Sequence, residues 1–241
     1  MITSSNKITV VVFDFDNCLA LDEETREGSE EIKDRAWLDV FPEYESEKLK
    51  SILNKNALNL AEGRSDRKNI VLQILRCFNF PESQIPDEMI RRCDRFNEIT
   101  QNNIKQIRIS DNTMRTLARL SSRFALYINT ATPIENVSES LVALKLFGYF
   151  KKVYGRPGTK TENLLEIISR EKIEPAQMLF IDDQQSGWNI AQKVGCKFVG
   201  ISTARNKIWH SNPQTFPIIK YLRDLIEIID KSLSSGEVNL F

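Results

Sequence analysis

The sequence predicts an α/β fold, a doubly wound parallel sheet with an inserted α-helical cap subdomain. Short apolar runs rich in Val, Ile and Phe indicate buried strands. From about residue 108 onward these runs alternate with helical patterns, which is typical of a parallel sheet covered by helices on both faces. The stretch between the first run and this alternating part has helical periodicity and many charges. We therefore expect a core made of residues 1–20 and 107–241, and a helical cap made of residues 21–106.

The first predicted strand, Ile8–Asp14, contains the apolar run Val10–Phe13, ends in Asp14 and is followed closely by a second acid, Asp16. Because an unpaired charge in an apolar interior is very costly, the two acids are expected at the carboxyl end of the strand. Open α/β sheets bind their ligands at that edge. Two acids there could hold a divalent cation, or one could attack a substrate while the other transfers protons. An ordinary acidic turn would contain the same residues.

The cap is predicted to be helical because its apolar residues recur at i, i+3 and i+4. Four segments show this spacing: Arg35–Phe41, Glu47–Leu60, Arg67–Phe80 and Asp87–Ile104.

The second half of the chain is expected to contain the remaining strands and the helices that join them. The predicted strands are Phe124–Asn129, Lys152–Tyr154, Met178–Ile181, Lys197–Ile201 and Phe216–Ile219. The predicted helices are Ile134–Leu146, Thr161–Arg170, Trp188–Val194 and Tyr221–Leu233.

Three further polar signals follow strands in this half. Thr130, Ala131 and the start of the next helix would form an anion cradle, although a threonine there also fits an ordinary helix N-cap. Lys160 precedes a helix, where it would either meet phosphoryl oxygens or remain solvated. Asp182 and Asp183 form a second acidic pair at a strand end, as a Mg²⁺ site needs and as a simple turn also allows.

Composition excludes several classes of function. The chain has 33 basic and 33 acidic residues, so it lacks the positive charge expected of proteins that bind nucleic acid or anionic membranes. One histidine, His210, argues against a His-rich metal site or a Ser-His-Asp triad. The four cysteines form no C-x-x-C pair, and no apolar run approaches the length of a membrane span. With no signal-peptide pattern at the start, we expect a cytoplasmic protein with reduced thiols.

The tryptophans are interpreted as structural. Trp37 and Trp188 are expected to pack in the interior, because aromatic side chains mainly bury area. Trp209 and His210 are placed in a polar loop, either at the surface or in an inter-subunit contact, and are assigned no role.

The order Asp-x-Asp, Thr, Lys, Asp-Asp resembles the four motifs of the haloacid dehalogenase-like hydrolase superfamily, from Val10 to about Ile201. The helical insert resembles that superfamily's C1 cap on a Rossmann-like core. The segments Phe124–Leu146 and Lys160–Leu165 resemble its phosphoglycolate phosphatase-like branch. One departure is Asn17-Cys18, where the family usually has Gly and then Thr or Val. Asn tolerates the left-handed conformation, so the turn is expected to survive.

The resemblance implies a role for each motif residue. Asp14 would be the nucleophile, and Asp16 would be the general acid and then the general base. Thr130, Ala131 and Lys160 would hold the phosphoryl group. The metal would be Mg²⁺, held by Asp14, the backbone carbonyl of Asp16, and either Asp182 or Asp183.

The cap segment Glu62–Arg67 resembles the substrate-facing loop of such caps. Gly63, Arg64 and Arg67 are therefore expected to contact the substrate. The same segment also fits a helix N-terminus capped by Ser65 or Asp66.

The implied function is a Mg²⁺-dependent phosphomonoesterase that hydrolyses a small phosphorylated metabolite through an aspartyl-phosphate, as a monomer or homodimer. Dehalogenases and phosphonatases of the superfamily lack the second aspartate of the first motif, so Asp16 points to phosphate esters. A phosphomutase of the β-phosphoglucomutase type shares the motif set and remains an alternative, as does a catalytically inactive binding protein. A phospho-accepting signalling receiver is disfavoured, because receivers lack a helical insert after the first strand.

Overall fold

A computed structural model describes residues 7–61, 66–206, 209 and 214–235 of the chain. Its centre is a six-stranded sheet in which every neighbouring pair is parallel, in the order β3-β2-β1-β4-β5-β6. The strands are β1 Val10–Phe13, β2 Ala125–Pro133, β3 Lys152–Arg156, β4 Met178–Asp182, β5 Lys197–Ile201 and β6 Ile218–Ile219. All six overlap the predicted strands, so the predicted α/β sheet is confirmed.

The chain divides into two compact units. The first comprises the described residues of Met1–Gly28 and Gln106–Phe241, and the second comprises those of Ser29–Lys105. The helices of the first unit are α5 Asp111–Ser121, α6 Ile134–Ala143, α7 Lys160–Glu171, α8 Gln185–Val194 and α9 Asp224–Ser235. The helices of the second unit are α1 Ser29–Val40, α2 Ser46–Ala61, α3 Arg67–Cys77 and α4 Ile85–Ile104.

Helix α5 was not predicted, because its buried face is only partly apolar. Leu117 and Leu120 are buried beside Thr113 and Thr116. The Thr113 hydroxyl donates to Glu23, and the Thr116 hydroxyl donates to the carbonyl one turn earlier. Hydroxyl groups that are hydrogen-bonded in this way can be buried at modest cost. Because threonine is polar, the buried face of α5 does not show the apolar spacing that predicts a helix.

The sheet core explains why β1 is an unbroken apolar run. β1 lies between β2 and β4, and all of its residues are buried. Trp188 packs against the rings of Phe198 and Phe216 at the side of this core. Trp209 is also buried there, with its ring against Phe216, so the expectation of a surface or inter-subunit position was wrong. His210 lies outside the described residues.

The second unit has its own hydrophobic core. Trp37 of α1 stacks on Phe41 and lies 4.3 Å, centroid to centroid, from Phe96 of α4. Trp37 is therefore a packing residue, as expected. No helix in the described parts of the chain is long and apolar enough to cross a membrane.

Candidate active site

The predicted acids meet at one edge of the sheet. Asp14 follows β1, and Asp182 ends the neighbouring strand β4. The two strands are in register, with Phe13 opposite Ile181, and the Asp14 backbone N–H donates to the Ile181 carbonyl at 2.8 Å. Carboxyl ends of parallel strands face the same way, so this register brings both acidic pairs to the ligand-binding edge.

Lys160 joins the two strands electrostatically. Its ammonium lies 2.7 Å from Asp182 Oδ2 and 3.1 Å from Asp14 Oδ1, and all three side chains are largely buried. It is the first residue of α7, and a reciprocal capping box between Thr159 and Glu162 defines that helix start. A solvated loop lysine is therefore excluded. Burial alone would lower the pKa of Lys160, but the carboxylates of Asp14 and Asp182 outweigh it and raise the pKa.

The pKa of Asp14 reflects its burial first and the charges around it second. Burial raises it to about 7; Lys160 opposes this shift, while Asp182 and Asp16 add to it. The ammonium of Lys160 therefore offsets only part of the rise in the Asp14 pKa. Additional positive charge at this edge would restore the ionised form of Asp14.

The donor set fits a hard divalent cation. Asp14, Asp182 and Asp183 are all buried, and each offers a carboxylate oxygen within 4.8 Å of the others. Oxygen-only ligands of this kind suit Mg²⁺, which is usually bound through one or two carboxylates and several waters. The Asp16 carboxylate is not part of this group. Its expected contribution to the metal is the backbone carbonyl, which the carboxylate grouping does not test.

Asp16 is instead oriented by the neighbouring strand. Its Oδ2 accepts a hydrogen bond of 2.6 Å from the Thr132 hydroxyl of β2. The Thr130 hydroxyl is buried and accepts from the Thr132 backbone N–H at 3.2 Å. The structure thus places Thr130, Ala131 and Thr132 together at the end of β2, beside the strand that leads to Asp14.

Thr130 is not the N-cap of the following helix. It lies within β2, and the N-cap of α6 is Pro133, which makes no side-chain cap. The helix-cap alternative for Thr130 is therefore wrong.

The loop after β4 is held by contacts that keep its acids in place. The Gln184 backbone N–H donates to Asp182 Oδ1 at 2.8 Å. The Asn206 amide donates to the carbonyl of Asp183 at 2.8 Å and to that of Ile201 at 2.7 Å. At Gly187, a Cβ would lie 2.4 Å from the Asp182 side chain, so only glycine allows α8 to approach this closely.

The departure at Asn17-Cys18 is accommodated as expected. Asn17 has φ 52°, in the left-handed region that Asn tolerates. The Cys18 thiol is buried and points to the Ile181 carbonyl, 3.7 Å away. Burial, followed by the charge of Asp14 and Asp182, raises the pKa of Cys18 well above its ordinary value, so it stays a neutral thiol.

The cap residues expected to meet substrate do not all fall in the described part of the chain. Gly63 and Arg64 lie outside the described residues. Arg67 begins α3, its guanidinium lies 4.3 Å from the Phe96 ring centroid, and it donates to Asn97. Arg67 thus packs on α4 within its own unit, and its contact with substrate stays a prediction.

The segment before α3 has the predicted N-cap. The Asp66 side chain accepts from the Asn69 backbone N–H at 2.9 Å. Asp66 therefore caps this helix.

Three residues of the site were not predicted. Thr132 orients the Asp16 carboxylate, and Asn206 holds the loop that carries Asp183. Gly187 leaves room for the Asp182 side chain against α8. A polar residue near a strand end is the only signal the sequence carries for the first two, and turns carry the same signal.

The sequence profile of a family described as haloacid dehalogenase-like hydrolase matches residues 11–201. No curated protein matches the chain by sequence.

Many solved structures share the fold. A predicted phosphoglycolate phosphatase from Haemophilus somnus superposes with a TM-score of 0.63 at 21% identity, covering 92% of this chain and 97% of that one. The HAD-hydrolase YfnB from Bacillus subtilis, described as bound to magnesium, gives 0.67 at 16% identity, covering 93% and 99%. A protein from Thermotoga maritima assigned as a β-phosphoglucomutase gives 0.65 at 16% identity, covering 93% and 99%. At these identities the likeness shows the fold.

Proposed function

Because this chain belongs to the haloacid dehalogenase-like hydrolase family, we propose that it is a Mg²⁺-dependent phosphomonoesterase. Its substrate would be a small phosphorylated metabolite, hydrolysed through an aspartyl-phosphate on Asp14. The observation that carries this proposal is the Lys160 ammonium, which contacts Asp14 and Asp182 beside the buried acid cluster. Phosphoryl transfer depends mainly on such positioning and charge neutralisation.

In the first half of the reaction, a carboxylate oxygen of Asp14 attacks phosphorus and the bond to the ester oxygen breaks. The leaving oxygen takes a proton from Asp16. In the second half, the Asp16 carboxylate removes a proton from water, whose oxygen attacks the phosphorus of the aspartyl-phosphate. Inorganic phosphate leaves, and the Asp14 carboxylate and the protonated Asp16 are regenerated.

The remaining residues of the site would bind the phosphoryl group and the metal ion. Lys160 and the backbone N–H groups after Thr130 would bind the phosphoryl oxygens. Asp14, an acid from Asp182-Asp183 and the backbone carbonyl of Asp16 would hold Mg²⁺. When bound, Mg²⁺ supplies positive charge that offsets the repulsion between a carboxylate nucleophile and a phosphate dianion.

Asp16 is the residue that favours phosphate-ester hydrolysis over dehalogenation. A dehalogenase expels halide, which needs no proton, whereas an alkoxide leaving group does. The bond from Thr132 holds the Asp16 carboxylate in one orientation, as an acid–base group requires.

The test is a panel of phosphorylated metabolites assayed for released phosphate, with and without Mg²⁺. We expect Mg²⁺-dependent turnover of at least one phosphate monoester and none by the Asp14→Asn variant. Acid quench during turnover should trap phosphate on the protein as an acyl phosphate, labile at alkaline pH. Release of halide from 2-haloacids without phosphatase activity would overturn the proposal.

A further inference from the structure

Two buried amide side chains fasten β2 to the first turn of α7. Asn129 Nδ2 donates to the carbonyl of Lys160 at 2.9 Å, and Asn129 Oδ1 accepts from Asn163 Nδ2, also at 2.9 Å. Asn129 is fully buried and Asn163 nearly so. The strand that carries Thr130 is thereby joined to the backbone of the residue whose ammonium reaches Asp14.

Asn129 ends an apolar part of β2. Leu126, Tyr127 and Ile128, which precede Asn129 in β2, are all buried. An apolar residue at position 129 would fill this strand without needing a partner, whereas a buried amide is costly unless it is hydrogen-bonded. The two amides therefore have a role beyond filling space in the core.

The loop before α7 has a glycine where the Asn163 amide comes close to the backbone. A Cβ at Gly158 would lie 2.5 Å from Asn163 Oδ1. Any larger residue at 158 would displace the Asn163 amide, and with it the bond to Asn129.

The pair controls a part of the geometry that the capping box does not. The bonds between Thr159 and Glu162 define where α7 begins, but both residues belong to the helix terminus itself. The bond from Asn129 ties that terminus to the sheet. Lysine has a long, flexible side chain, so the position of its ammonium depends on where its backbone is held.

We propose that Asn129 and Asn163 are positioning residues, which hold the Lys160 backbone against β2 so that its ammonium stays on Asp14 and Asp182. The inference rests on the proposed function, because its effect is on the phosphatase reaction. Asn129 bonds the Lys160 carbonyl and Asn163 bonds Asn129, so both amides would act through Lys160.

The experiment compares Asn129→Leu, Asn163→Leu and the double variant, with p-nitrophenyl phosphate and Mg²⁺. Asn129→Leu leaves the Asn163 amide without its acceptor, and Asn163→Leu leaves Asn129 Oδ1 without its donor while the bond to the Lys160 carbonyl remains. Each single change should therefore lower the denaturation midpoint. The double change removes both amides, so we expect the midpoint to recover in part. The catalytic effect should not recover: kcat should stay roughly 10- to 100-fold below wild type in the double variant, because the tie to Lys160 is still missing.

Two further variants separate positioning from stability. Asn129→Asp keeps an acceptor for Asn163 but replaces the donor to the Lys160 carbonyl, so it should lower kcat with KM little changed. Asn56→Leu is the matched control, because Asn56 is a buried amide in the second unit that donates to Ile52 and Gln73. It should lower the denaturation midpoint and leave kcat within about twofold of wild type.

The outcomes are distinct. An active wild type whose double variant recovers both stability and kcat would overturn the inference alone, since the amides would then be structural. Loss of kcat in proportion to stability across all variants, Asn56→Leu included, would do the same. A wild type inactive on every phosphate ester would overturn the proposed function, and this inference with it.

Discussion

The carboxylate proposed to attack phosphorus lies where ionisation is costly. Burial and the neighbouring acids raise the pKa of Asp14 to about 7, and the Lys160 ammonium contacts its carboxylate. Burial disfavours its ionised form, and positive charge nearby favours that form. The reactivity of this residue therefore depends on its burial and on the charges around it.

Replacing Asp14 by asparagine should abolish turnover and preserve the fold. The amide keeps the shape of the side chain but cannot form the covalent intermediate, so kcat should fall by several orders of magnitude. Steady-state kinetics and thermal unfolding measure the two effects. Asp111→Asn, at an exposed position, is the control and should change neither. Turnover near the wild-type rate in a folded Asp14→Asn protein would rule out this nucleophile.

Replacing Thr132 by valine should weaken the acid–base step selectively. The change removes the hydroxyl that bonds Asp16 and keeps the side-chain shape. An alkyl phosphate needs its leaving oxygen protonated, so its kcat should fall by roughly tenfold, while p-nitrophenyl phosphate, with a good leaving group, should be affected much less. Thr132→Ser retains the hydroxyl and should restore the ratio between the two substrates. Equal losses on both would assign Thr132 a structural role.

At the scale of elements, α4 is tied to the end of α1 by a buried ion pair. Glu88 accepts hydrogen bonds from Arg91 and Arg92, and Arg92 also donates to the carbonyl of Val40, the last residue of α1. Arg92 reaches Glu43 as well. Burial favours the neutral form of Glu88, but the bonds from the arginines outweigh it and hold the pKa of Glu88 below its ordinary value.

This pair should make the helical unit sensitive to acid. Because the folded-state pKa of Glu88 is depressed, its stabilisation is present above the unfolded value of about 4.3 and is lost as pH falls through the folded value. Glu88→Gln should cost about 2 kcal/mol at pH 7 and much less at pH 3. Denaturant unfolding at both pH values measures this difference in the cost of the substitution. Glu98→Gln, which removes an exposed pair with Arg95, should cost little at either pH. A cost for Glu88→Gln that is the same at both pH values would contradict the assignment.

The sequence predicts elements well where burial leaves a simple pattern. The strands of a parallel sheet are covered on both faces, so they appear as apolar runs, and the acids that follow β1 and β4 mark the ligand edge. The pattern fails where polar groups are satisfied by distant partners. Thr132 and Asp16 are separated by 116 positions in the chain, and nothing local to either residue reveals the contact. The buried Trp209 was missed for a similar reason, because its partner Phe216 belongs to the next segment.

At the scale of the whole molecule, the cluster of buried acids predicts that both activity and stability depend on a divalent cation. EDTA should abolish hydrolysis and Mg²⁺ should restore it, because three buried acids converge at one place. Mg²⁺ should also stabilise the fold, by about 2.7 kcal/mol at a hundred times its Kd, since the unfolded chain has no such site. Thermal unfolding with and without Mg²⁺ measures this without any assay of activity.

Asp183→Asn tests the site of this stabilisation. Removing one of the three carboxylates should reduce the Mg²⁺-dependent rise in melting temperature, while the exposed Asp111→Asn should leave it unchanged. A hydrolysis rate that is unaffected by EDTA, or a melting temperature that does not respond to Mg²⁺, would refute a metal site here.

The order of the strands also has a consequence for how the protein is made. β1 is central in the sheet, but its neighbours β2 and β4 begin only at Ala125 and Met178. At ribosomal rates of about 5–20 residues per second, the apolar segment Val10–Phe13 waits on the order of ten seconds for its first neighbour and longer for its second. During that interval the helical residues between β1 and β2 emerge, and their local contacts form quickly. The nascent chain therefore carries an unpaired hydrophobic segment through much of its synthesis. Binding of a chaperone to this segment would reduce aggregation most during this period.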